Sequence, residues 1–185
     1  MVSVAIVCEG KNDKAFFETL ISHLGFEEKQ VGFYIFGGKS DVFKSNHTRY
    51  ADLKLDVGSG QIEKVLFVVD ADNVQADAVY GGLENTQTAL NNIIKQLDLE
   101  EVAHTYIMCD PKTKAGYLES FILSTIPTAQ RNCIESFLAC SQFKYPENHK
   151  AILNQIYKLA YPDAPFDFQH PHFDPLKTEL THLFK

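Results

Sequence analysis

Two near-continuous apolar runs, each closed by a carboxylate, constrain the fold of this chain most. Val2–Cys8 (VSVAIVC) runs into Glu9, and Val65–Val69 (VLFVV) runs into Asp70. A strand that shows apolar side chains on both faces must be covered on both, as in a parallel sheet. Between the runs, Phe16, Phe17, Leu20, Ile21 and Leu24 recur at spacings of three and four. That spacing predicts a helix, with Asp13 near its start and Gly25 just past its end. Val31–Phe36 reads as a second strand, punctuated by Gly37-Gly38. Residues 41–55 are weakly patterned and predict one helix and a loop ending in Gly58-Ser59-Gly60. Leu90, Ile93, Ile94 and Leu97 mark another helix, and Thr105–Cys109 a fourth strand. Strands alternating with helices imply parallel strands joined by crossovers. The expected fold is α/β, with a mainly parallel four-stranded sheet flanked by helices on both faces.

From about Ala129 the pattern is helical only. Ile134, Phe137 and Leu138 form one apolar stripe, and Ile152, Ile156 and Leu159 another, with Pro162, Pro165 and Pro171 between helices. Asp174 is placed as an N-cap and Pro175 at the first position of a last helix carrying Leu176, Leu180, Leu183 and Phe184. The expected division is an α/β core over 1–125 and a helical extension over 126–185 packed on it. A chain of 185 residues can bury one good-sized core, and 45% hydrophobic with 22% charged residues excludes a disordered composition. No apolar run approaches the ~20 residues of a membrane span. The opening MVSVAIVCEGK reads as a strand rather than a signal peptide, so a cytoplasmic protein without a membrane partner is expected. Cys8, Cys109, Cys133 and Cys140 form no CxxC pair and are expected as buried free thiols.

Three segments carry chemistry: Glu9-Gly10-Lys11 after the first strand, Asp70-Ala71-Asp72-Asn73 after the third, and Gly116-Tyr117-Leu118-Glu119 after the fourth. In a parallel sheet the carboxyl ends of all strands share one edge, where ligands bind. Adjacent strands lie ~4.8 Å apart, so Glu9 and Asp70 share a space if their strands are neighbours. In extended backbone, Asp70 and Asp72 would face the same way. Two such carboxylates repel by about 4 kcal/mol when ~4 Å apart at an effective dielectric of roughly 20. A hard divalent cation, Mg²⁺ or Mn²⁺, removes that cost through all-oxygen ligands. The alternative for an Asp-x-Asp at a strand end is a turn with helix-capping acids.

The hydrophobic–Glu-Gly–x-x–Asp opening (Glu9, Gly10, Asp13) and the later hydrophobic–Asp-x-Asp resemble the Toprim domain of topoisomerases, bacterial primases and small nucleases. The likeness is nearest in style to the overcoming-lysogenization-defect nucleases and covers about residues 1–125. It implies that Glu9 acts as general acid/base or joins the metal, that Asp70 and Asp72 hold Mg²⁺, and that Glu119 is an additional acid. Asn73 interrupts the longer acidic run of topoisomerases. No nucleophilic-tyrosine module or primase zinc module accompanies the motifs.

The reading that follows is Mg²⁺-dependent hydrolysis or phosphoryl transfer at a phosphodiester of nucleic acid, with Lys11, Lys14 and Lys39 as phosphate contacts. A net charge of −7 predicts weak nucleic-acid affinity unless a protein partner or second copy adds basic surface. A non-catalytic Toprim-like module binding metal, nucleotide or a protein is the competing class. Asp70-Ala-Asp72-Asn-Val74 also fits the opening of aspartyl-phosphate phosphatases, but the later acidic pair they need is missing. Gly37-Gly38-Lys39-Ser40 is out of register for a P-loop and follows a strand, FYIF, rather than a phosphate cradle. A solvated Lys39 is the alternative to a phosphate contact, and Asp110-Pro111 reads as a turn. His170-Pro-His172 and Cys133…Cys140 lack partners at zinc spacing.

Overall fold

In a computed structural model, which describes residues 3–140 and 166–185, the strands alternate their side chains between two separate apolar layers. Strand β1 (Val4–Cys8) is buried throughout. Its Val4, Ile6 and Cys8 enter one layer and Ala5 and Val7 the other. The remaining strands are β2 (Val31–Ile35), β3 (Lys64–Asp70) and β4 (Ala103–Met108), in the order β2-β1-β3-β4. Every pairing is parallel, with Val7 opposite both Tyr34 and Phe67, and Asp70 opposite Met108. The α/β fold expected from the apolar runs is the fold observed.

Helix α1 (Lys11–His23) buries Phe16, Phe17, Leu20 and Ile21 against the first layer. Its start is closed by Asp13, whose carboxylate accepts the Gly10 N–H at 2.7 Å. The weakly patterned stretch holds two helices rather than one: the short α2 (Lys39–Val42) and α3 (Thr48–Gly58). Each buries only one or two apolar side chains, Val42 in α2 and Tyr50 and Leu53 in α3, too few to show a period. With α4 (Leu83–Gln96) they cover the second layer.

The first layer continues through α5 (Leu118–Leu123), α6 (Thr128–Cys140) and the last helix, α7 (Asp174–Leu183). Leu176, Leu180 and Leu183 of α7 are fully buried there, worth roughly 1.5–3 kcal/mol each. Phe173 holds the N-cap position, so Asp174 is the first helical residue and pairs with Lys177 at 2.7 Å instead of capping. Ile134 of α6 is buried but Phe137 is exposed, so that stripe is narrower than its spacing suggests. Cys8 and Cys109 are buried thiols, whereas Cys133 and Cys140 are exposed, because α6 turns both outward. The stripe Ile152, Ile156 and Leu159, with Pro162 and Pro165, lies outside the described residues.

Candidate functional site

The strand order reverses between β1 and β3, because the chain leaves β1 toward β2 on one side and β3 toward β4 on the other. In open α/β sheets the crevice beyond the carboxyl ends at such a point is where ligands bind. Glu9 is the first residue past β1, and Asp70 is the last of β3. Glu9 Oε1 accepts the backbone N–H of Asp70 at 2.8 Å, so the two strand ends are tied by a carboxylate.

Asp70 is 4% exposed, and its Oδ1 accepts the N–H of Leu118, the first residue of α5, at 3.0 Å. A charged acceptor on one of the unsatisfied N–H groups of a helix start is favourable both as hydrogen bond and against the helix dipole. Glu119 follows at the second position of α5 and is buried.

Asp72 departs from the extended geometry assumed for it. Its φ is 57°, and it exchanges backbone hydrogen bonds with Gly116, donating at 2.6 Å and accepting at 2.9 Å. Gly116 itself has φ 94°, and a Cβ there would collide with the side chain of Ser120. Alternation therefore stops at Asp70. The Asp70 carboxylate turns toward α5 in the first layer, while that of Asp72 turns toward Lys39 of α2, which packs on the second.

Lys39 is not a solvated lysine: it is 7% exposed. Its Nζ donates to the Ala71 carbonyl at 2.9 Å and lies 3.2 Å from Asp72 Oδ2. Gly38 ends the β2 exit and Lys39 begins α2, so the backbone turns back over the strand ends and carries the ammonium inward. The Ala71 carbonyl also accepts from Gly82 N at 2.8 Å and from Thr86 Oγ1 at 3.3 Å. Lys11 is exposed on α1, and Lys14 lies over the Phe33 ring at 5.5 Å and pairs with Glu18 at 3.5 Å. Of the three lysines, Lys39 is held against Asp72 at the strand ends.

Burial, with the charges of Asp13 and Glu9 added, pushes the Cys8 thiol up to about 12, so it stays protonated beside the acids. Asp77, in the loop after β3, is held below the usual carboxylate range by the N–H groups of Tyr80 and Val79, with the Lys39 charge a smaller contribution. The turn read at Asp110-Pro111 is present: Asp110 accepts the N–H of Lys112 at 2.7 Å, and it lies 3.4 Å from Arg131 of α6, a contact the sequence did not reveal. Nor did it reveal Ser124, whose Oγ lies 2.9 Å from His172 Nδ1. Both contacts join residues far apart in the chain.

Among the described residues no three or more His, Cys, Asp or Glu side chains are gathered as a set of metal ligands. Glu9 and Asp70 each hold a backbone N–H, and Asp72 holds Lys39.

Residues 3–185 match the family described as protein of unknown function, DUF3226. The chain belongs to the DUF3226 family. The DUF3226 match takes in the sheet, the strand-end acids and α7 alike. No curated protein and no solved structure matches this DUF3226 chain. Among its described residues no helix is long and apolar enough to cross a membrane.

Proposed function

We propose that this DUF3226 protein is a Toprim-like, Mg²⁺-dependent enzyme that hydrolyses or transfers a phosphodiester of nucleic acid at the β1–β3 edge. The observation that carries the reading is the Glu9–Asp70 contact of 2.8 Å across the point where the strand order reverses. Mg²⁺ keeps several waters and is held by one or two carboxylates plus substrate phosphates, rather than by an all-protein cage. Glu9 and Asp70 are a donor set of that size, and a backbone N–H fixes one oxygen of each. A cation there would neutralise the charge that builds on the phosphoryl oxygens.

Within this reading Glu9 relays a proton or completes the cation's ligands, and Asp70 is the principal anchor. Asp72 and Glu119 supply further negative charge from the loop after β3 and from the start of α5. Lys39 either screens Asp72 until substrate arrives or meets a substrate phosphate. The Lys39–Asp72 pair also supports the second reading, a non-catalytic module in which an internal ammonium does the neutralising.

The test is cleavage of single-stranded and duplex oligonucleotides with Mg²⁺ or Mn²⁺ by the wild type and by Asp70→Asn and Glu9→Gln. Both substitutions keep an acceptor for the backbone N–H and remove the charge. Loss of cleavage and of Mn²⁺ binding in both, with unchanged folding, supports the enzyme. Undiminished cleavage in Asp70→Asn overturns the site, and Mn²⁺ binding by a wild type without turnover favours the module.

A further inference from the structure

The loop that leaves the acidic edge at Asp72 passes through Tyr80 on its way to α4, and Tyr80 helps to wall a cavity of about 300 Å³ against the outer face of that helix. Its other aromatic is Phe43, the residue just past α2, with ring centroids 4.7 Å apart. Asn85, Thr88, Asn92 and Gln96 also line it; Asn85 Nδ2 donates to the Gly81 carbonyl at 3.0 Å and Thr88 Oγ1 to the Glu84 carbonyl at 2.9 Å, so Asn92 and Gln96 are the carboxamides that would meet an occupant. The Tyr80 phenol is the only ionisable group of the lining. A phosphate, carboxylate or ammonium would thus enter without a charged partner.

An occupant must be neutral, flat enough to lie on an aromatic ring, and edged with both donors and acceptors. We propose that this cavity binds a single nucleobase, which rests on the proposed function and names the part of the substrate held beside the reacting phosphate. Side-chain carboxamides offer one donor and one acceptor in a plane, which matches base edges, and bases stack on aromatic faces. A volume at the low end of ligand pockets suits one base rather than a larger ligand. The placement is also set by the chain: α2 carries Lys39 at the acids and leads to Phe43 in the cavity, about 6 Å further along its axis. The buried Thr86 hydroxyl bonds both the Ala71 carbonyl, at 3.3 Å, and the Tyr80 carbonyl, at 2.6 Å. The cavity wall and the acidic edge therefore share one anchor.

Asn92 and Gln96 lie on the exposed face of α4, where substitution leaves folding nearly unchanged. The test is fluorescence anisotropy of a labelled octadeoxyadenylate, in EDTA, against an abasic octamer of equal charge. Wild type is expected to bind the base-bearing strand about tenfold tighter or more. Asn92→Ala/Gln96→Ala should remove most of that difference and leave abasic binding unchanged. Competition by adenosine monophosphate assigns the cavity to a mononucleotide, and competition by the octamer alone assigns it to a strand. Equal binding of the two octamers, or a double variant indistinguishable from wild type, overturns the nucleobase assignment. Base-dependent binding in EDTA without any cleavage in Mg²⁺ keeps the cavity and sinks the enzyme. Cleavage that ignores the double substitution does the reverse.

Discussion

Lys39 is the most informative residue to remove. Lys39→Met keeps the length of the stem and deletes the ammonium that bonds the Ala71 carbonyl and pairs with Asp72. A hydrogen bond to a charged group contributes about 1.5–3 kcal/mol. The Ala71 carbonyl keeps Gly82 N and Thr86 Oγ1 as donors, so no acceptor is orphaned. Asp72, 34% exposed, stays partly hydrated, which holds the cost below the ~3–5 kcal/mol of breaking a fully buried pair. The expected loss is therefore about 1.5–3 kcal/mol, or roughly 3–12 °C in Tm for a chain of this size. Urea unfolding followed by far-UV circular dichroism and by tyrosine fluorescence measures it, since the chain has eight Tyr and no Trp. The double variant Lys39→Met/Asp72→Asn should recover ~1 kcal/mol or more relative to additivity. On the metal reading, Lys39→Met should also tighten Mn²⁺ binding by unmasking Asp72. A destabilisation under ~0.5 kcal/mol with additive double-variant energies would place the pair with ordinary surface ion pairs and refute the reasoning.

Gly116→Ala should cost about 1–3 kcal/mol, through its positive φ and the collision with Ser120, and should speed amide exchange at Asp72. Thiol labelling under native conditions should modify Cys133 and Cys140 quickly, and Cys8 and Cys109 only on unfolding, read by mass spectrometry of the labelled peptides. His172 has its pKa lowered, chiefly by burial and then by His170, with Asp110 opposing and Lys112 and Arg131 adding to it. A lowered pKa means that the unfolded chain binds the proton more readily. This residue's contribution is thus intact above the ordinary value of about 6.5 and is lost as pH falls below it. Unfolding free energies measured from pH 8 to 5 should fall in that range and flatten in His172→Gln.

The sheet could be read from the chain because β1 and β3 are apolar on both faces, a pattern that leaves few alternatives to a covered parallel strand. Glu9 and Asp70 were legible for the same reason, since the residue that ends such a run must sit on the carboxyl edge of the sheet. Asp72 was not, because its left-handed turn is imposed by Gly116, which belongs to the loop after another strand. Burial of Lys39 was hidden by a rule that usually holds, that lysines stay in water. Only the return of α2 over the strand ends brings it against the Ala71 carbonyl. Helices α2 and α3 were blurred because their buried side chains are few. Asp174 looked like a cap, but the turn at Phe173 starts the helix one residue earlier than an N-cap at Asp174 allows.

The two-bond bridge between Asp72 and Gly116 is made wholly of main-chain atoms, so it asks nothing of the Asp72 side chain. The strap would close as well around an asparagine or a glycine at that position. The Asp72 carboxylate therefore answers to the Lys39 ammonium rather than to the fastening, and exchanging it should unpair that lysine while the shape of the rim endures.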